Sequence, residues 1–186
     1  MTELKGTRVA ILATDGFEEL ELSEPKKALE AQSMEVHVVA PKKHGIRAWA
    51  KTDWGDDYPV DKVIDEVSAE DYHALVLPGG LFNPDALRTD EKALNFVRAF
   101  FEAGKPVGAI CHAPWILINA EVVEGRRLTS VHSIADDLKN AGAKWEDSEV
   151  VCDSALVTSR TPADLHAFNN KLIEEIKEGR HRGQHA

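Results

Sequence analysis

Lys105-Pro-Val-Gly-Ala-Ile-Cys-His-Ala-Pro114 decides how the rest of this 186-residue chain is read. Pro106 to Ile110 is a short apolar run of strand length, and the stretch from Pro114 to Ala120 has a helical pattern. An apolar strand that turns straight into a helix holds the residue between them at a sharp corner, and that residue is Cys111. This is the geometry of a nucleophile elbow. A helix N-terminus, a neighbouring imidazole (His112) and partial exposure all favour a reactive sulfur there.

Working outward, strands and helices alternate along the chain. Arg8 to Ala13, Glu35 to Ala40 and Ala74 to Leu77 read as buried strands. Glu18 to Gln32 reads as a helix with Leu20, Leu22, Ala28 and Leu29 on one face. Thr89 or Asp90 caps a helix through Phe101 that Gly104 closes. The last third repeats the pattern, with Leu128 to Ser130, a helix near Ile134 to Ala141, Val150-Val151, Ala155 to Thr158, and a helix from Pro162 to Lys177. Lys42 to Ser68 has no helical period and predicts short strands, with a hairpin around Trp49 and Trp54. Residues 1–178 form one domain in this reading, and 179–186 a flexible C-terminal tail. Apolar strands separated by amphipathic helices imply an α/β fold with a mainly parallel sheet covered on both faces. Ligands of such sheets bind at the carboxyl ends of the strands.

Composition narrows the function. Apolar residues make up 43% and charged residues 29%, which places the chain among globular domains. Thirty-two acidic against 22 basic side chains give a net charge of −10. That balance argues against nucleic-acid binding and against a membrane surface, both of which need a basic face. No targeting signal and no apolar run of membrane-spanning length is present, so a cytoplasmic protein with two free thiols, Cys111 and Cys152, is expected. The loop after the first strand, Thr14-Asp-Gly-Phe-Glu-Glu19, carries three carboxylates and would repel phosphate. The Gly-x-Gly-x-x-Gly and P-loop patterns are absent, so no nucleotide cofactor is expected. His37, His44 and His73 are scattered without metal-ligand spacing; the tail His181-Arg-Gly-Gln-His185 could bind a metal weakly but reads as a disordered terminus, and no metal is expected. Pro78-Gly79-Gly80 ends a neighbouring strand, where the Gly80 N–H, with that of His112, suits an oxyanion hole for chemistry at Cys111.

Four segments together carry a family resemblance: Ala13-Thr-Asp-Gly-Phe-Glu-Glu-Leu-Glu21, Ala74-Leu-Val-Leu-Pro-Gly-Gly80, Lys105 to Pro114, and Thr158-Ser-Arg-Thr-Pro162. The sequence resembles the ThiJ/PfpI family, which shares a flavodoxin-like fold with class I glutamine amidotransferases. The resemblance runs from Val9 to about Leu172 and implies a three-layer sandwich. It implies Cys111 as nucleophile with His112 beside it, and Glu18 as the acid that hydrogen-bonds the thiol. It further implies Asp85 reaching the histidine from a neighbouring subunit, hence a homodimer or a ring of dimers with the site at the interface. The implied activity is removal of methylglyoxal or glyoxal adducts from proteins, as a protein deglycase or glyoxalase-like hydrolase. The alternatives are an intracellular cysteine peptidase, or a stress sensor that works by oxidation of Cys111. Trp115, His132 and His44 are the expected pocket residues. Ala113 departs from the family's elbow glycine, and Val131 stands where some members have tyrosine. The amidotransferase His-x-Glu pair is missing, because no acid stands two residues after His166.

Overall fold

The computed structural model describes residues 4–184. In chain order the strands are β1 (Arg8–Leu12), β2 (Phe17–Glu18), β3 (Glu35–Ala40), β4 (Gly45–Ala50), β5 (Asp53–Pro59), β6 (Lys62–Val63), β7 (Ala74–Leu77), β8 (Val107–Ile110), β9 (Arg127–Leu128), β10 (Lys144–Trp145), β11 (Val151–Asp153) and β12 (Leu156–Ser159). The helices are α1 (Glu19–Glu30), α2 (Phe82–Leu87), α3 (Glu91–Glu102), α4 (Pro114–Asn119), α5 (Ala135–Asn140) and α6 (Leu165–Glu178).

Seven strands form the central sheet in the order β11-β12-β8-β7-β1-β3-β6. Every pairing in it is parallel except β11 with β12. The flavodoxin-like sandwich expected from the sequence is therefore the fold. Parallel strands need helical crossovers, which cover both faces, and this is why β1, β7 and β8 are apolar without alternation. One core layer gathers Leu12, Leu75, Leu77, Phe96, Phe100 and Leu117; the other gathers Ile11, Leu22, Val38, Val76, Phe168 and Leu172.

The chain runs outward from β1 through β3 to β6, then returns to the other side of β1 as β7. That reversal opens a crevice at the carboxyl ends of β1 and β7, the usual ligand position of such sheets. The loops that follow β1, β7, β8 and β12 meet there. The expected hairpin is also present: β4 and β5 are antiparallel, with Trp49 opposite Trp54, and β2 pairs along β4.

Two local readings need correction. Leu20 is not on the buried face of α1; it is 39% exposed, and Glu21, Leu22, Pro25 and Leu29 are buried instead. The terminal segment 179–184 is docked rather than loose. His181 N–H donates to Gly104 O at 2.8 Å, and buried Gln184 donates through Nε2 to Lys105 O at 2.8 Å. His185 and Ala186 lie outside the described residues.

Candidate active site

Cys111 follows β8 with φ +63°, in the left-handed region that a β-carbon disfavours. The strain is held by its surroundings. Its N–H donates to Ser159 O (3.0 Å), and its carbonyl accepts from Val131 N–H (3.0 Å). Ala113 then has φ −55° at the entry to α4, so its methyl group meets no conformational penalty and the elbow needs no glycine at that position. Pro114 opens the helix at the position where its missing N–H costs nothing.

The Gly79-Gly80 turn lies directly across from the elbow. A β-carbon on Gly79 would stand 2.7 Å from the Cys111 β-carbon; Gly80, at φ +79°, has the Gly16 carbonyl and the Glu18 nitrogen against it. Only glycine lets this turn approach so closely. The backbone N–H groups of Gly80 and His112 face the Cys111 sulfur and favour its charged form. The two donors expected for an oxyanion hole thus converge on the reacting atom. Asn83 fixes the turn: it is fully buried, donates through Nδ2 to Pro78 O (2.9 Å) and Gly79 O (3.2 Å), and accepts Thr14 N–H at Oδ1 (2.7 Å). Asn83→Ala strands these groups and is expected to cost about 2–3 kcal/mol in denaturant unfolding. A loss below 0.5 kcal/mol would contradict this role.

The acid against the thiol is Glu21, not Glu18. Glu18 sits in β2 ahead of α1 and accepts the Lys51 backbone N–H of the β4–β5 hairpin; burial raises its carboxyl above the ordinary value. Glu21 lies one turn further on and points into the protein with no exposure. Its Oε2 accepts Gly79 N–H at 2.8 Å, and its carboxyl interacts with the Cys111 thiol. Burial, reinforced by the nearby Glu18 charge, pushes Glu21 up to about 8 despite the donors. Glu21 is therefore a neutral carboxylic acid at pH 7. Its Oε1 is buried without a hydrogen bond, the position open to the acid proton.

Burial also pushes the Cys111 thiol up. His112 sits beside the sulfur, with Nδ1 3.3 Å from Sγ, and burial lowers its affinity for a proton. A neutral imidazole next to a protonated thiol is a base waiting for a substrate. On the other side of the ring, Nε2 lies 3.4 Å from Ser133 Oγ, and Trp115 packs at 5.2 Å between ring centroids. Trp115 is pinned by Nε1 donating to Asp137 at 2.8 Å, with the Arg88 guanidinium over its face.

Of the expected residues, Cys111, His112, Gly80 and Trp115 are brought together. His132 turns away to the Trp145 ring, leaving Ser133 to meet His112. His44 stands exposed at the start of β4, its carbonyl accepting Val60 N–H, which ties that loop to the end of β5. Asp85 is exposed on α2, and among the described residues the His112 ring nitrogens meet Cys111 and Ser133. The Thr158-Ser-Arg-Thr-Pro162 segment backs the elbow: Ser159 receives the Cys111 N–H, and Arg160 forks onto Asp164 and pairs with Asp147.

Comparison with known proteins fits this geometry. The DJ-1/PfpI family model matches residues 7–175. The chain belongs to the DJ-1/PfpI family. Protein/nucleic acid deglycase 2 of Escherichia coli is 45% identical, covering 89% of this chain and 95% of that protein. Deglycase TK1284 of Thermococcus kodakarensis is 43% identical over 91% and 99% of the two chains. A Bacillus subtilis relative, also 43% identical over 91% and 98%, carries the provisional cysteine protease name YraA. Among solved structures, the DJ-1/ThiJ/PfpI-like domain of a two-domain protein from Anabaena variabilis superposes with a TM-score of 0.85 at 32% identity, covering 90% of this chain and 47% of that one. Within the DJ-1/PfpI family the chain is an enzyme of PfpI type, and its relatives' names divide between deglycase and cysteine protease.

Proposed function

We propose that this chain is a Cys111-dependent deglycase that hydrolyses dicarbonyl adducts on amino and thiol groups. The observation that carries the reading is the convergence on one sulfur of a buried neutral acid (Glu21), a neutral imidazole (His112) and two backbone donors (Gly80, His112). For a methylglyoxal adduct, Sγ attacks the carbinol carbon as His112 takes the thiol proton, and the amine or thiol departs with a proton. A proton then moves from the first adduct carbon to the second through an enediol, giving a lactoyl thioester on Cys111. Water releases lactate and restores the thiol. The aldehyde carbon is oxidised as the ketone carbon is reduced, so no outside oxidant or cofactor enters. Glu21 holds and returns protons at the enediol, and the backbone donors hold the oxygen anion.

The deglycase names of two relatives that cover nearly the whole chain support this reading. One of those names includes nucleic acids, and single adducted bases are substrates that a net-negative protein can still accept without a duplex-binding groove. A sensor role would use the same sulfur, and intact mass after limiting peroxide tests it: oxidation confined to Cys111 without deglycation would replace the reading. The peptidase reading rests on the YraA name and uses the same nucleophile and base. Parallel assays on methylglyoxal-treated N-acetylcysteine and on fluorogenic peptides separate the two. Deglycation is expected to exceed peptide cleavage in kcat/KM, and the reverse order would replace the reading.

The site is proposed to be completed by a second copy. Leu81 and Phe82 (both 52% exposed) and Trp54 (43%) crowd next to Asp85; Phe82 stacks on Trp54 and meets Trp49 edge-on. An apolar patch of this kind marks an interface, and Asp85 sits beside it on α2. Asp85→Ala is expected to lower kcat about 10-fold or more without changing the assembly mass in sedimentation. Unchanged kinetics would remove Asp85 from the mechanism.

A further inference from the structure

The geometry points to a divalent metal site at the C-terminal end of α6, built by Glu175, Glu178 and His181 and remote from the elbow. One ligand atom from each of the three lies within 4.8 Å of the others. His181 Nε2 stands 3.1 Å from Glu175 Oε2 and 3.7 Å from Glu178 Oε2. Two ligands each about 2.1 Å from a tetrahedral ion stand roughly 3.4 Å apart, so these spacings bracket the value a bound ion needs.

An ordinary ion pair would align the ring nitrogen with a carboxylate oxygen. Here His181 Nε2 is buried and makes no hydrogen bond, even though Oε2 is within reach. The nitrogen and the oxygens share a space instead of pointing at one another. The set is also preorganised. His181 N–H is bound to Gly104 O at 2.8 Å, and Gly104, at φ +65°, has no room for a β-carbon because the His181 carbonyl sits against it. Buried Gln184 anchors the residues beyond it. Glu175 is almost wholly buried; its Oε1 accepts Lys171 Nζ at 2.9 Å, and the Cys152 thiol donates to the same carboxylate. These partners orient the ligand from behind, as second-shell groups do. Glu178 is exposed, which leaves an entry path and open positions for water.

One imidazole nitrogen and two carboxylate oxygens suit Zn²⁺ or Co²⁺ better than the hard cations, which take oxygen alone. Lys171 opposes the ion's charge and limits affinity, which suits a stabilising latch better than a permanent cofactor. A bound ion would fasten the 179–184 segment to α6.

The test uses full-length protein stripped with chelator, then titrated with Co²⁺ for visible absorption and with Zn²⁺ for thermal unfolding. The expected result is one ion per chain and a Tm rise of roughly 5–10 °C once free Zn²⁺ is about 100-fold above its Kd. His181→Gln and Glu178→Gln should each weaken binding about tenfold or more, while Cys111→Ala binds as wild type. Glu178 is exposed, so its variant stays folded and keeps the test decisive. Three results would overturn the site: no binding at millimolar ion, binding indifferent to either ligand variant, or binding lost in Cys111→Ala, which would place the ion at the elbow.

Discussion

Glu21→Gln is expected to make the protein more stable at pH 7 and about 10²-fold less active. The ordinary carboxyl value for this residue is 4.5, and the folded protein raises it to about 8. Between those values the unfolded chain has released a proton that the folded chain keeps. Stability from this group therefore falls as pH rises from about 4.5 to 8. At pH 7 the gap is roughly 2.5 units, or about 3 kcal/mol. Glutamine carries no such proton and can still accept Gly79 N–H, so the variant escapes the cost. The gain corresponds to roughly 6–12 °C in Tm at pH 7, shrinking towards zero near pH 4. A variant less stable than wild type at pH 7 would mean that Glu21 is ionised in the folded protein. The same proton shapes activity: kcat/KM of the wild type should fall on the alkaline side near pH 8, and on the acid side below the usual histidine range, where His112 becomes charged.

Cys111→Ala is expected to lower kcat/KM by a factor on the order of 10³ or more, since the nucleophile and the base act as a unit. Cys111→Gly should be equally inactive, but about 1 kcal/mol more stable than the alanine variant. Glycine adopts φ +63° freely, whereas alanine keeps the strain of the elbow. Urea unfolding of the two inactive variants measures this difference directly. An alanine variant as stable as the glycine variant would show that the elbow stores no strain.

The alternation of strands and helices, the elbow and the Gly-Gly turn facing it were legible because strand ends, glycine pairs and a Cys-His corner are short-range signals. Which carboxyl lies against the thiol was not, because loop length after β1 decides which one turns inward. Glu21 did carry a signal: with Pro25 and Leu29 it forms an i, i+4, i+8 line on the buried face of α1, and an acid on an apolar stripe is a functional candidate. Ser133 was passed over for His132 because a tight helical turn over His132–Ile134 swaps which neighbour faces the elbow. The short helix α2 was missed since Asn83-Pro84 reads as a turn, although proline is tolerated in a first helical turn. The polar tail looked solvated because nothing local reveals that Gly104 leaves a seat for His181.

Lactate release from a cysteine–methylglyoxal hemithioacetal, followed alongside recovery of the free thiol, tests the central claim most directly. The wild type is expected to form one lactate per thiol recovered, Cys111→Ala none above the spontaneous rate, and Glu21→Gln a small fraction. Lactate formed equally by wild type and Cys111→Ala, or thiol recovered without lactate, would contradict the account.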